Sequence, residues 1–532
     1  MIRGQLSIFS IRRRNSMNLK YAEERLSEVT ALPETKCLFS SYTGFLSSER
    51  NPESLDVSML EYLREVTQDP ALLEEVNEYL AEIKYTRMAY IVEPVIEQLE
   101  RFCQENHPDG RWRKGHQQAK KEMLSEFETF SLKSLVYGGN ANIRDFVPRK
   151  DAHAGSIYLR TGKRTKGEYL DELPSLYVEA ENTARKRGSF NELIMTLIRT
   201  GASLPYDDKG KPTFEFEVKP RVVSAVSLPL IMAETRFANP LQRKFSTLNW
   251  YAGGKNNHGI WIEILHMMSY FRTGSWISLD YSKFDQSISD WLIYDAFDII
   301  RQAFLNDRHF DDEIFRIVRE DFIHKVFIGP EGKLYESHKG VPSGSMFTQI
   351  VDSIVNRLMV KAIFHSLGWT EGEDYMMIIM GDDNLVYIRD NDPERHLDNI
   401  SRMLAKCYGI TCNVTKVKRG LSSAPPKFLS RDWTPFGVDR DKTELLLRLL
   451  YPESRRDYKG KGFLPSQVVQ AYVEEYEIPM RQLLLLSEHR RRVATDRRKM
   501  GAEAWQTGLE QYRARLAAER NDIANTSDIF SW

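Results

Sequence analysis

Between Ala71 and Phe130, apolar residues recur at three- and four-residue spacings in LLEEVNEYLAEI and IVEPVIEQLERF. That period predicts amphipathic helices. In FEFEVKPRVVSAV the period falls to two, with Val and Phe prominent, and predicts a strand or hairpin. SWISLDYSKFDQSISDWLIYDAFDIIRQAF reads as a strand, a turn and a helix starting near Asp290, with Ser289 as its N-cap. GVPSGSMFTQIVDSIVNRLM is a Pro/Gly/Ser loop feeding a helix, and YMMIIMGDDNLVYI is two apolar strands joined by a tight turn. Beyond Gly437 the pattern is mainly helical, and up to Gln68 it is polar and irregular, an arm packed on the body. Strands with intervening helices in the middle and helix-rich flanks predict a mixed α/β (α+β) core with helical outer parts.

Composition changes this picture little. The 532 residues suggest about three or four domains or subdomains. Apolar residues make up 42% and charged residues 28%, ample for a globular core. The net charge of −1 conceals basic clusters in IRRR near the N-terminus, in Tyr158–Gly167 and in Glu488–Lys499. A neutral total excludes a histone-like coat but permits a basic groove. Cys37, Cys103, Cys407 and Cys412 are too few and scattered for a disulfide framework or zinc site, and are expected to be free thiols. No apolar run approaches the ~18 residues of a membrane span. The first twenty residues carry arginines without an apolar segment, so no secretory signal is expected.

Candidate chemistry begins at Asp382 and Asp383, side by side between two apolar runs. A β-hairpin with Gly-Asp-Asp-Asn at its tip accounts for them, because the core holds the strands and the turn projects the carboxylates. Carboxylate oxygens hold hard cations such as Mg²⁺ with positions left for phosphate. Taken alone, the stretch reads more simply as an ordinary turn. SLDYSKFD adds Asp280 at a strand end and Asp285 five residues on. Strand-end carboxylates from two neighbouring strands can converge on the metal pair of an in-line phosphoryl displacement. Asp285 and Asp290 also suit a helix N-terminus through its dipole, whereas Asp280, behind the apolar WISL, does not.

Gly340, Pro342 and Gly344 impose an irregular backbone on the next element. With a helix starting near Ser345, Thr348, Asp352 and Asn356 fall at i, i+4 and i+8, a short polar stripe that is either solvated or ligand-facing. In EVKPRVV, Lys219 and Arg221 share one strand face. They offer phosphate a point charge and a fork, or are simply an exposed face.

Taken in order, these elements resemble the motifs of viral RNA-dependent RNA polymerases. VKPRVV is similar to motif F, LDYSKFD to motif A, GVPSGSMFTQIVDSIVN to motif B, MGDDN to motif C, YGITCNVTK to motif D and KFLSRDW to motif E. The match spans Lys219–Trp433, roughly two fifths of the chain, and its specificity lies in the order and spacing of the whole set. The wording of motif B and the compact length look most similar to polymerases of small double-stranded RNA viruses, the picobirnaviruses and partitiviruses.

The resemblance implies a right-hand fold of fingers, palm and thumb, the palm a small antiparallel sheet backed by helices. It divides the chain into an N-terminal arm or domain (1–70), fingers (71–275 and 300–339), palm (276–299 for motif A, 340–437 for motifs B to E) and a thumb with a C-terminal tail (438–532). It implies template-directed nucleotidyl transfer from NTPs to an RNA 3′-hydroxyl, in replication and transcription of a viral RNA genome. Mg²⁺ is the implied cofactor, with Mn²⁺ as substitute. By the motif match, Asp280 and Asp382 would ligate both metals, supported by Asp383 and the Tyr281 backbone. Asp285 and Ser343 would sense the ribose 2′-hydroxyl, with Gly344 and Thr348 beside them, and Lys219 and Arg221 would hold the triphosphate. Lys416, or alternatively Lys418, would protonate the pyrophosphate leaving group.

The wider positive-strand relatives carry an Asn nine residues after the motif B Ser; here that place is Asp352, with Asn356 one turn further, so either could assist Asp285. Lys427 and Arg431 would lie near the primer strand. Arg160, Lys163 and Arg164 would contact RNA where template enters and product leaves, as would Glu488–Lys499, which is equally a solubilising helix face. The implied partners are a single-stranded RNA template, nascent RNA, NTPs and a viral capsid protein. The implied setting is a monomer without a membrane, in the virion interior and the cytoplasm of an infected host cell.

A reverse transcriptase shares the palm but excludes ribonucleotides, and Asp285 with Ser343 argues against it. A metal-dependent nuclease has no need of motif B. A catalytically silent or autoinhibited RNA-binding virion protein is the alternative; Asp280, Asp382 and Asp383 argue against silence but not against autoinhibition. The terminal NTSDIFSW, with Ile529, Phe530 and Trp532, suggests a tail that enters the cavity and stacks on the first nucleotide.

Overall fold

The computed structural model describes residues 55–83, 93–105, 109–147, 149–150, 152–203, 217–329, 333–452, 458 and 463–520. Its strands are β1 (Ile194–Ser203), β2 (Glu217–Ala225), β3 (Ser275–Ser278), β4 (Lys325–Ile328), β5 (Leu334–Ser337), β6 (Tyr375–Met380), β7 (Asp383–Ile388), β8 (Lys418–Leu421), β9 (Lys427–Phe428), β10 (Arg431–Thr434) and β11 (Gly437–Asp439). The central sheet runs β6–β7–β3–β8, antiparallel throughout. A second sheet, β2–β1–β4–β5, joins β1 and β4 in parallel, and β11–β10–β9 form a third.

The unbroken apolar runs of β6 and β7 have a clear cause. Tyr375, Met377, Ile379, Val386 and Ile388 point into the main core, while Ile378, Met380, Leu385 and Tyr387 point into a second one on the opposite face. A sheet buried on both faces cannot alternate apolar with polar. The main core is built around the Thr348–Ser366 helix, which packs on the Lys114–Glu128 and Asp290–Gln302 helices and on β6. That helix is buried from Thr348 to Phe364, so its polar residues face protein on every side. Its position fixes the motif B side chains beneath the β6–β7 turn.

Two expectations are corrected. The arm expected at residues 1–70 contains a helix, Val57–Val66, capped by Asp56, whose side chain accepts from the Met59 amide at 3.0 Å. Met59, Leu60, Leu63 and Val66 form an apolar stripe that packs with Leu73 and Val76 against the C-terminal helices, in a core with Leu445, Leu449, Tyr472 and Leu509. The boundary at residue 70 therefore runs through one packing unit. Ser289 occupies the N-cap position of the Asp290–Gln302 helix without capping it, and its hydroxyl is buried with no hydrogen-bond partner among the described residues. The Asp290 carboxylate accepts from the Trp291 amide at 2.6 Å instead.

Cys103, Cys407 and Cys412 are free thiols, and Cys37 lies outside the described residues. Among the described residues no helix is long and apolar enough to cross a membrane.

Candidate active site

Only Gly381 and Asp382 form the turn between β6 and β7, since Met380 pairs directly with Asp383. Gly381 has φ 64°, the left-handed value that a two-residue hairpin of this kind needs at its first position. The four-residue polar tip expected from the sequence is thus shorter. Asp383 begins β7 on the exposed side, and Asn384 is buried behind it. The Asn384 side chain reaches across to β3, accepting from the Leu279 amide at 3.1 Å.

β3 runs antiparallel to β7, with Ile277 opposite Val386. Carried past its last bonded pair, this register sets Asp280 opposite Asp383 and Tyr281 opposite Asp382. On its other side the same segment meets the motif D stretch. The Asn413 amide donates to the Asp280 carbonyl at 2.8 Å, and the Ser282 amide donates to the Thr411 carbonyl at 2.9 Å. Neither bond uses the Tyr281 carbonyl. Lys416 is exposed on the turn that Asn413 anchors, its amide donating to the Asn413 carbonyl at 2.9 Å, and Lys418 is exposed on β8.

Beneath this turn lies Asp352. It is fully buried, and neither of its carboxyl oxygens has a hydrogen-bond partner among the described residues. Burial, then the charges of Asp285 and Asp382, push it well above the usual carboxylate range. Three carboxylates from three separate segments therefore share one small region. Among the described residues no three His, Cys, Asp or Glu side chains are drawn together tightly enough to hold an ion by themselves. The donor set nevertheless fits Mg²⁺, which takes one or two carboxylates and completes its shell with water and substrate phosphate. The crowded charge around Asp352 is what a cation would relieve.

A stability test follows. Because Asp352 has a folded pKa above its unfolded value of about 3.9, stability is lost as pH rises from the unfolded value toward the folded one. Asp352→Asn removes that loss. The variant is expected to melt higher than the parent in EDTA, by about 1–3 kcal/mol near neutral pH. The gap should widen from pH 4 upward, as melting curves across pH would show.

The Asn356 side chain is committed to the β6–β7 turn. Its Nδ2 donates to the Gly381 and Asp382 carbonyls, each at 3.0 Å, and its Oδ1 accepts from the Tyr281 hydroxyl at 3.0 Å. The Gly381 amide in turn donates to Ser353 Oγ at 2.8 Å. One helix turn thus separates a residue on which the charge of Asp285 acts from one that braces the carboxylate turn.

The motif B loop is held from several directions. The Ser343 hydroxyl accepts from the Ser224 amide at 2.9 Å, tying it to β2. A Cβ on Gly344 would collide with the Ser224 carbonyl, so only glycine fits there. The Thr348 hydroxyl is buried and donates to the Pro342 carbonyl at 2.6 Å, bracing the loop instead of facing a ligand. Glu234, absent from the sequence reading, accepts from Ser345 Oγ and the Met346 amide, both at 2.8 Å. Burial pushes its pKa up to about 7 against those two bonds. Its signal was a lone acid inside the apolar LPLIMAETRF.

Lys219 and Arg221 lie two apart on β2, opposite Gly201 and Arg199 of β1. Their side chains lie outside the described residues, as does that of Arg160. Lys163 pairs with Glu172 and lies over the Tyr169 ring, and Arg164 is exposed nearby. Glu488–Lys499 belongs to the Leu486–Met500 helix, where Arg491 pairs with Glu488 and Arg492 with Glu65. The C-terminal tail lies outside the described residues.

Motif E divides its two cations. Lys427 is exposed and pairs with Asp432 at 2.9 Å. Arg431, expected at the primer, is buried instead. It donates to the Leu429 carbonyl at 2.9 Å, to Glu475 at 3.3 Å and to the Tyr476 hydroxyl at 3.2 Å. Its charge finds those partners only inside the joint between β10 and the C-terminal helices. Arg431→Ala is therefore expected to cost about 3 kcal/mol of stability, because it leaves buried partners unpaired. The salt dependence of RNA binding should stay unchanged, since no phosphate contact is lost.

The family model described as viral RNA-dependent RNA polymerase matches residues 61–490. The RNA-directed RNA polymerase of Cryptosporidium parvum virus 1 is 29% identical over 185 residues, covering 32% of each chain. That of Atkinsonella hypoxylon virus is 40% identical over 65 residues, 12% of this chain and 10% of that protein. The matched part thus spans about a third or less of these curated relatives. The crystal structure of a human picobirnavirus RNA-dependent RNA polymerase superposes with a TM-score of 0.58 at 12% identity, over 98% of this chain and 91% of that one. At that identity the likeness establishes the fold, a mixed α/β polymerase with small antiparallel sheets.

Proposed function

The chain belongs to the viral RNA-dependent RNA polymerase family, and from this premise we propose that it copies a single-stranded RNA template by nucleotidyl transfer from NTPs to an RNA 3′-hydroxyl. The observation that carries the reading is the buried Asp352, whose two oxygens have no hydrogen-bond partner among the described residues and on which the charges of Asp285 and Asp382 act, with Asp280 just past the end of β3 and in register with Asp383. The 3′-oxygen attacks the α-phosphorus, the bond to pyrophosphate breaks, and the hydroxyl proton is released. Phosphoryl transfer of this kind asks mainly for positioning and charge neutralisation.

Asp280, Asp382, Asp383 and the Tyr281 carbonyl would hold Mg²⁺, or Mn²⁺ in its place, and the bound cations would neutralise charge on the attacking and leaving oxygens. Lys219 and Arg221 would hold the triphosphate. Lys416 would give a proton to the departing pyrophosphate oxygen. Asp285, Asp352 and Ser343 would read the 2′-hydroxyl, the group that distinguishes RNA from DNA building blocks. Of the two motif B candidates, Asp352 is favoured, because its oxygens have no partner among the described residues and the charge of Asp285 acts on it, while Asn356 is committed to the turn. The enzyme would act as a monomer, beside a capsid protein in the virion and in the cytoplasm of an infected cell.

Incubation with single-stranded RNA, four NTPs and Mg²⁺ tests this. RNA product of template length that anneals to the template is expected. RNA binding without product would instead support a silent virion protein.

A further inference from the structure

FIHKVFI carries a single lysine in an apolar run at the start of β4. Lys325 is only 2% exposed. Its Nζ lies within hydrogen-bond distance of four carbonyl oxygens, those of Phe322 at 2.9 Å, Ile323 at 3.2 Å, Lys339 at 2.8 Å and Gly340 at 2.7 Å, which its N–H groups share. The first two end the Asp312–Ile323 helix. The second two belong to the turn that leads into Val341, Pro342 and Ser343. Among the described residues no carboxylate pairs with the Lys325 amine, and burial holds its pKa well below the usual lysine range. Burying an amine costs free energy that an apolar side chain filling the same site would not incur. Packing alone therefore does not account for a lysine here.

The carbonyls it gathers do. The turn at 339–341 is where the two segments proposed to read the ribose are spliced. The Gly340 amide donates to the Ile288 carbonyl at 2.8 Å, and the Val341 amide donates to the Asp285 carbonyl at 2.7 Å. Gly340 has φ 69°, and a Cβ there would lie 2.6 Å from the Phe102 ring and 2.8 Å from the Asp285 carbonyl. Ser337 Oγ lies 2.7 Å from the Phe102 carbonyl and 2.8 Å from that of Lys339, closing the turn from the other side. Two residues further on, Ser343 is docked on β2.

We infer that Lys325 is a positioning residue for ribose selection: by tying the end of the Asp312–Ile323 helix to the 339–341 turn, it fixes the offset between Asp285 and Ser343. This rests on the proposed reading of Asp285 and Ser343 as the groups that sense the 2′-hydroxyl. Lys325 itself touches neither nucleotide nor RNA in this account.

Lys325→Met keeps a long apolar stem and removes the hydrogen bonds shared among the four carbonyls. The measurement is kcat and KM for CTP and dCTP on one RNA template, for parent and variant. The ratio of their kcat/KM values is expected to fall about tenfold or more, mainly through a raised KM for CTP, because a 1 Å misplacement of a reading group costs up to about 10²-fold. A merely structural role would lower the melting temperature and slow both nucleotides equally. Ser337→Ala is a milder lesion at the same turn and is expected to shift the ratio in the same direction by less; it carries the test if Lys325→Met does not fold. A discriminating parent with an unchanged ratio in the folded variants would overturn the inference alone. A parent that uses CTP and dCTP equally would overturn the underlying reading, and the inference with it.

Discussion

Asp382→Asn is expected to abolish nucleotide incorporation, lowering the rate by about 10³-fold or more. The change is isosteric and removes one charge from the β6–β7 turn. Charge neutralisation in the transition state is worth several kcal/mol at such a site, and each factor of ten in rate is about 1.4 kcal/mol. Folding should not suffer, because Asp382 is one of the charges crowding Asp352. Relieving that crowding is expected to hold or raise the melting temperature in EDTA. Primer-extension rates and melting curves on the same preparation separate the two effects. Incorporation within tenfold of the parent would remove Asp382 from the centre of the reaction.

The second large effect is expected at Asn356. Asn356→Asp keeps the shape but replaces the Nδ2 donor with an oxygen facing the Gly381 and Asp382 carbonyls, both at 3.0 Å from the present nitrogen. It also buries a charge next to a turn that carries Asp382 and leads directly into Asp383. Loss of two donated bonds, with acceptors left facing one another, is expected to cost about 3 kcal/mol or more and to suppress incorporation. Part of the stability should return as pH falls and the new carboxyl takes up a proton. Chemical denaturation at two pH values and an incorporation assay measure this. Unchanged stability with a selective gain in dNTP use would mean that Asn356 reads the sugar after all.

These two positions illustrate what was legible in the sequence. The hairpin was readable because its strands are buried on both faces and leave apolar runs, which isolate Asp382 and Asp383. Asp280 stood out for the same reason, as an acid directly behind WISL. The choice between Asp352 and Asn356 was not legible. Both lie on one stripe of one helix, and only the placement of the turn over that helix shows which of them it covers. The helix also begins at Thr348 and not near Ser345, so the preceding residues form a braced loop. Arg431 was misread because its partners, Glu475 and Tyr476, are remote in sequence and no local pattern announces a buried ion pair. The Val57–Val66 helix was missed because its short apolar stripe finds its cover in helices beyond residue 440. Glu234 and Lys325 did leave a trace, each being a lone charge inside an apolar run. Such a charge marks a polar need within the core, and here both meet it at the motif B loop.

The most direct measurement is single-nucleotide incorporation, with each of the four NTPs and dNTPs offered opposite each template base in the presence of Mg²⁺. Only the complementary nucleotide is expected to be added, with the ribonucleotide preferred over its deoxy counterpart, and Asp382→Asn is expected to add none. RNA bound without addition, or addition regardless of the template base, would contradict the proposed function.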